Sequence, residues 1–141
     1  MQRMRFEKDF SEDPATVFEF LSEHENLGGV LGADVTRLSD GTDGNRNGVG
    51  SSRRLKPPGP VPAFEETVTE YVPDERIEYR VTKGTPLNHH VGEITLTPAG
   101  SGTHMEWTIE IGTALPGLDF VIAKVLIHNI GRGLDRMAIP A

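Results

Sequence analysis

The 141-residue chain contains no cysteine. That single absence excludes a disulfide framework, a thiolate metal site and a cysteine nucleophile. Aromatic residues make up only 6% of the chain, with one tryptophan, Trp107. No apolar run approaches the roughly 20 residues that a membrane-spanning helix needs. Met1-Gln2-Arg3-Met4-Arg5-Phe6 is followed by charge rather than an apolar stretch, so no signal peptide is expected and the expected location is cytoplasmic. Positive charge is scarce as well: 14 Lys and Arg stand against 21 Asp and Glu, for a net charge of −7. The bases gather only at Arg53-Arg54-Lys56, whereas a phosphate-backbone binder shows a basic stripe, so nucleic acid is not an expected partner.

What is present is a change of period along the chain. Gln2 to Phe10 alternates imperfectly and reads as a strand. Ser11-Glu12-Asp13-Pro14 supplies capping side chains followed by an early helical proline, and Val17, Phe18 and Leu21 give the ensuing helix a buried side. A second helical turn is expected from Glu23 to Leu27, with Gly28-Gly29 as its break. Strands then follow: one around Val35 and Leu38, a long turn over Asp40 to Asn45, then Val49 to Leu55. Phe64 to Val72, Arg76 to Val81, Val91 to Thr97 and His104 to Ile111 continue the series, and Pro57 to Pro62 forms a stiff loop. In the last strand Met105, Trp107, Ile109 and Ile111 point one way and His104, Glu106, Thr108 and Glu110 the other. Pro116 to Met137 closes the chain as an amphipathic helix, with Ala123, Leu126, Ile127, Ile130, Leu134 and Met137 on the apolar side and Lys124, His128, Arg132 and Asp135 opposite. Strands joined by short turns make an antiparallel meander, so the expectation is one α+β domain over residues 1–141.

Local text sharpens this order. Glu66-Thr67-Val68-Thr69-Glu70-Tyr71-Val72-Pro73-Asp74-Glu75-Arg76-Ile77-Glu78-Tyr79 places a proline–acidic turn before an aliphatic-x-Tyr. Gly92-Glu93-Ile94-Thr95-Leu96-Thr97-Pro98 and Gly102-Thr103-His104-Met105-Glu106-Trp107 make a final hairpin. With Gly48-Val49-Gly50, these segments resemble the START-like (SRPBCC) superfamily, which includes Bet v 1-like proteins, and most of all its polyketide cyclase/dehydrase and lipid-transport branch. The resemblance runs from about Phe6 to Met137. It implies a helix-grip fold in β-α-α-β6-α order, with a curved antiparallel sheet of about six to seven strands wrapped around the long C-terminal helix. Where relatives often carry a tryptophan after the two short helices, this chain has Val30-Leu31-Gly32.

In that fold the concave face and the closing helix line a cavity, so strand parity selects candidates. If Ile94 and Leu96 face inward, so do His90 and Gly92. Phe64 and Val68 bring Glu66 with them, and Val49 and Leu55 bring Ser51 and Arg53, unless a bulge intervenes. His90, Glu66 and Arg53 are the candidate catalytic residues, able to move protons on an enolisable carbonyl substrate. The alternative for them is a satisfied cross-strand Arg–Glu pair and a hydrogen-bonded histidine. Phe64, Tyr79, Trp107, Leu126, Asn129 and Ile130 are the candidate ligand contacts, with Tyr79 and Trp107 read as core residues first. Gly131 and Gly133, inside the helix, signify either close packing or room for a ligand.

Neither a metal nor another cofactor is expected. His89 and His90 are adjacent on a strand and point to opposite faces, and His24, His104 and His128 stand at no ligand spacing. Gly41 to Gly48 lacks both the lysine of a phosphate loop and the closing glutamate of a calcium loop, and no Gly-x-Ser-x-Gly elbow occurs. Three functions remain open: binding of a small hydrophobic or aromatic, lipid- or polyketide-like molecule; acid–base catalysis of the cyclase/dehydratase type; and use of the fold as an interaction surface. An exposed sheet edge leaves room for a homodimer.

Overall fold

The computed structural model describes residues 1–59 and 62–140. Strand β1 (Gln2–Phe10) leads into helix α1 (Pro14–Ser22), a 3₁₀ turn (His24–Leu27) and a single helical turn, α2 (Gly28–Leu31). Six strands follow: β2 (Asp34–Ser39), β3 (Ser52–Lys56), β4 (Phe64–Val72), β5 (Arg76–Lys83), β6 (His89–Ala99) and β7 (Gly102–Gly112). Helix α3 (Leu118–Arg136) ends the order. All seven strands form one antiparallel sheet in the order β1-β7-β6-β5-β4-β3-β2, so the first strand closes against the last. This is the helix-grip arrangement, with the expected β-α-α-β6-α order.

The capping text acts as read: the Asp13 carboxylate accepts from the Thr16 backbone N–H at 2.9 Å, and Pro14 occupies the first turn of α1. Val17, Phe18 and Leu21 of that helix drop into the core beside Met105, Trp107, Ile109 and Ile111, all at most 4% exposed. The core is thus a layer between the concave face of the sheet and the helices. The sheet's two faces differ in kind, because β5, β6 and β7 alternate largely apolar-in and polar-out.

Three local expectations require correction, and one bulge reshapes β4. Gly28-Gly29 does not break the helical segment; both glycines open α2, and the break comes at Gly32, whose φ of 66° no β-carbon-bearing residue adopts cheaply. The strand expected from Val49 begins only at Ser52, since Gly50 stands at φ 89° and Val49 is 40% exposed. Val49 therefore plays no part in the parity that turns Ser51 and Arg53 inward. On α3, Ile127 is 51% exposed, and the buried stripe runs through Ala123, Ile130, Gly133 and Leu134. On β4 a register shift between Val68 and Glu70 adds one residue, which brings Tyr71, three positions after Val68, round to the inner face opposite Ile77. There its ring meets Phe18 edge-on at 5.1 Å. Of the Pro57–Pro62 loop, Pro60 lies outside the described residues, as does Val61.

Candidate functional site

Sheet register builds the inner face in rows. Val68, Tyr79, Gly92, Ile109 and Met4 stand side by side across β4, β5, β6, β7 and β1. Ile77, Ile94, Trp107 and Phe6 form the next row. Cross-strand partners share a face, so these two rows make an apolar and aromatic wall. The wall depends on a glycine: a β-carbon on Gly92 would run into the Tyr79 ring, which lies over it. From there the Tyr79 hydroxyl accepts a hydrogen bond from the Trp107 indole N–H at 3.1 Å.

Beside the wall sits a buried polar chain. Arg53 and Glu66 are register partners on β3 and β4, each about 4% exposed. Arg53 donates from Nε (2.8 Å) and Nη2 (2.7 Å) to the same oxygen, Glu66 Oε1. Its guanidinium carbon lies 5.1 Å from the Tyr79 ring centroid, a cation–π contact in a dry setting. Nη1 reaches His24 Nδ1 at 3.3 Å, His24 Nε2 meets Ser51 Oγ at 2.9 Å, and Ser51 Oγ donates to the Gly48 carbonyl at 2.7 Å. Arginine has no lone pair to offer. Nδ1 must therefore accept and Nε2–H must donate to Ser51, so the network selects one neutral tautomer. Burial, followed by the Arg53 and Arg37 cations, pushes the His24 pKa down to about 3, in keeping with that assignment.

Two hydrogen-bonding functions of this buried group are unused among the described residues. The Tyr79 O–H proton finds no acceptor, its oxygen being engaged only by Trp107. Glu66 Oε2 accepts no hydrogen bond from the described residues, both Arg53 contacts going to Oε1. Burial first and Glu66 second raise the Tyr79 pKa, so the phenol stays protonated as a donor.

The other sequence candidates fall as follows. His90 shares the inner face with its register partner Ile111; it is half-buried and its ring stands 6.3 Å from that of Phe64, also half-buried. Burial lowers the His90 pKa, and no hydrogen bond joins it to Glu66 or Arg53 among the described residues. Ile130 is buried in the core, Leu126 is half-buried against it, and Asn129 is exposed. The two helix glycines divide: Gly133 packs so closely on the Val30 carbonyl that a β-carbon would collide with it, whereas Gly131 has open space. His89 turns away to Glu110, 3.4 Å off. No cluster of three metal-ligating side chains occurs among the described residues. Hollows of about 480 and 270 Å³ open elsewhere, one beside Gly28, Asp34 and Lys56 and the other between Phe20, Val30 and Met137. Neither reaches the Arg53–Glu66 pair.

Sequence reasoning missed His24, the histidine nearest the centre of the site. It lies on a 3₁₀ turn, which has no strand parity to read, within the helical turn expected from Glu23 to Leu27.

Solved structures share the architecture. The chain is similar to protein CV1439 from Chromobacterium violaceum, with 19% identity over 100% of both chains and a TM-score of 0.71. A START superfamily protein from Mycobacterium smegmatis aligns over 94% of each chain at 15% identity and a TM-score of 0.75. Ara h 8.0201 aligns over 95% of this chain and 94% of its own at 14% identity and a TM-score of 0.66. At such identities the likeness is one of fold. None of the curated protein sequences is a detectable relative. Residues 1–139 match the family described as polyketide cyclase / dehydrase and lipid transport, and the chain belongs to that family.

Proposed function

We propose that the protein binds a small hydrophobic or aromatic molecule between the inner face of the sheet and α3, with the molecule's polar end at Tyr79 and Glu66. The observation that carries this reading is the pair of unused functions, the Tyr79 O–H and Glu66 Oε2, at the end of an apolar and aromatic wall. Buried polar atoms of a finished core are paired, since each unpaired one costs about 1–3 kcal/mol. Here the Tyr79 proton and Glu66 Oε2 have no protein partner among the described residues, and with Phe64, Trp107 and Leu126 they supply the mixture of apolar walls and few polar groups that a ligand site uses. Arg53, held by Glu66 and His24, is a fixed part of the floor. Native mass spectrometry of freshly purified protein tests the reading. A co-purifying mass that is released by Trp107→Ala or Tyr79→Ala is expected; protein at its bare mass that also takes up no added naphthol or pyrene contradicts it.

A second reading, acid–base catalysis of the cyclase/dehydratase type, draws on His90. Its neutral imidazole is available as a base on the same face, and Glu66 supplies a carboxylate nearby. Under this reading His90→Ala and Glu66→Gln abolish turnover of a poly-β-ketone while an apolar ligand still binds. Turnover unaffected by both substitutions eliminates it.

A further inference from the structure

Helix α3 is unusual in its first half. From Leu118 to Ile127 only Asp119 and Lys124 carry charge, and Asp119, at 13% side-chain exposure, is turned inward. A helix apolar on every side is normally covered on every side. This one is not: Phe120, Val121, Val125 and Ile127 are each more than half exposed, as is Leu115 just before the helix. Val121, Lys124, Val125, His128 and Arg132 follow helical spacing along the solvent side, all exposed, and no acid joins them before Asp135. Lys124 lies over the Phe120 ring, its Nζ 4.8 Å from the centroid.

We propose that this outer side of α3 docks on an anionic lipid bilayer, lying in the headgroup plane. Its apolar residues would enter the acyl boundary while Lys124, His128 and Arg132 meet lipid phosphates. Charge separation within the molecule favours that orientation. The helix packs on α2, β1 and β7 from the concave side. The acids of β1, β6 and β7, Glu7, Asp9, Glu93 and Glu106, occupy the opposite, convex side. Within a chain of net charge −7, Lys124, His128 and Arg132 thus sit on an apolar helix side turned away from those four acids. A second copy of the chain fits worse, because a two-fold pairing of α3 would set Lys124, His128 and Arg132 against their own duplicates. No helix among the described residues is long and apolar enough to cross the bilayer, so the docking is peripheral.

Co-sedimentation of the full chain with vesicles tests this independently of whether the inner face holds a ligand. Vesicles of phosphatidylcholine with about one-third phosphatidylglycerol should bind the protein, and pure phosphatidylcholine should bind it more weakly. The double variant Phe120→Ser/Val125→Ser should lose about tenfold or more in partitioning to both compositions. Lys124→Glu should lose about fivefold or more on the anionic vesicles and little on neutral ones. Leu38→Ser, an exposed apolar residue on β2, serves as the control and should change nothing. The proposal is overturned by absence of binding to the anionic vesicles, by equal losses in the control, or by a dimer in light scattering that the double variant dissolves.

Discussion

The two faces of one sheet carry opposite kinds of ion pair. On the convex face Arg76 reaches Glu70 and Glu93 at 2.8 and 2.9 Å, Arg5 reaches Glu106 at 3.0 Å, and His104 lies between Asp9 and Glu7, all with substantial exposure. On the concave face Arg53–Glu66 stands at 5% side-chain exposure on both sides, and the neighbouring Arg37, 14% exposed, meets Glu23 and Glu25 at 2.9 and 3.0 Å. Exposed pairs are screened, lose side-chain entropy and contribute little. A buried pair has lost its water, so its geometry has to be complete. Charge on this sheet is hydrated outside and positional inside, where one guanidinium organises Glu66, Tyr79 and His24.

Breaking the inner pair should have the largest effect. Glu66→Ala leaves the Arg53 guanidinium buried without its carboxylate and should cost about 3–5 kcal/mol in chemical denaturation. Next comes the support beneath Tyr79: Gly92→Ala drives a methyl group into the ring and should cost about 1–3 kcal/mol, with a change in Trp107 fluorescence as the indole loses its partner. The smallest effect belongs to the convex face, where Arg76→Ala should barely move the denaturation midpoint, and less still in high salt.

The histidines sharpen the same contrast through pH. The His24 pKa is depressed in the folded state, to about 3, so the unfolded chain takes up its proton first as pH falls below about 6.5. Stability from His24 is present above that pH and declines on acidification towards 3, by up to about 1.4 kcal/mol per pH unit. The His104 pKa is raised by its hydrogen bonds to Asp9 and Glu7, so its contribution is present at low pH and fades as pH rises through the folded value. Urea denaturation between pH 4 and 8 should show a slope that His24→Asn flattens and His104→Asn leaves nearly intact. A slope unchanged in His24→Asn would contradict the neutral tautomer.

The legible parts of the fold were those with a short period and a local stop signal. β7 alternates without interruption from Met105 to Ile111, and Asp13-Pro14 marks the start of α1 within the residues that form it. Parity on β3 and β4 brought Arg53 and Glu66 together because their cross-strand register is regular. Parity ended at the bulge after Val68, where Thr69 has no register partner on β5. On α3 the apolar residues nearly encircle the first half, so their spacing could not assign Ile127 to the solvent side or show that Asn129 lies away from the core. His24 became part of the site only through contacts 27 and 29 residues away, with Ser51 and Arg53. Distance along the chain conceals such contacts from any local pattern.

The most direct test of the central claim uses the single tryptophan. The Trp107 indole N–H gives one resonance in a ¹H–¹⁵N spectrum, and its hydrogen bond ends on Tyr79, at the polar end of the proposed site. On titration with 2-naphthol that resonance and the Gly92 amide should shift together and saturate, and Tyr79→Phe should weaken the apparent affinity. Shifts confined to convex-face residues such as Arg76 and Glu93, with the indole signal unmoved at saturation, would contradict the account.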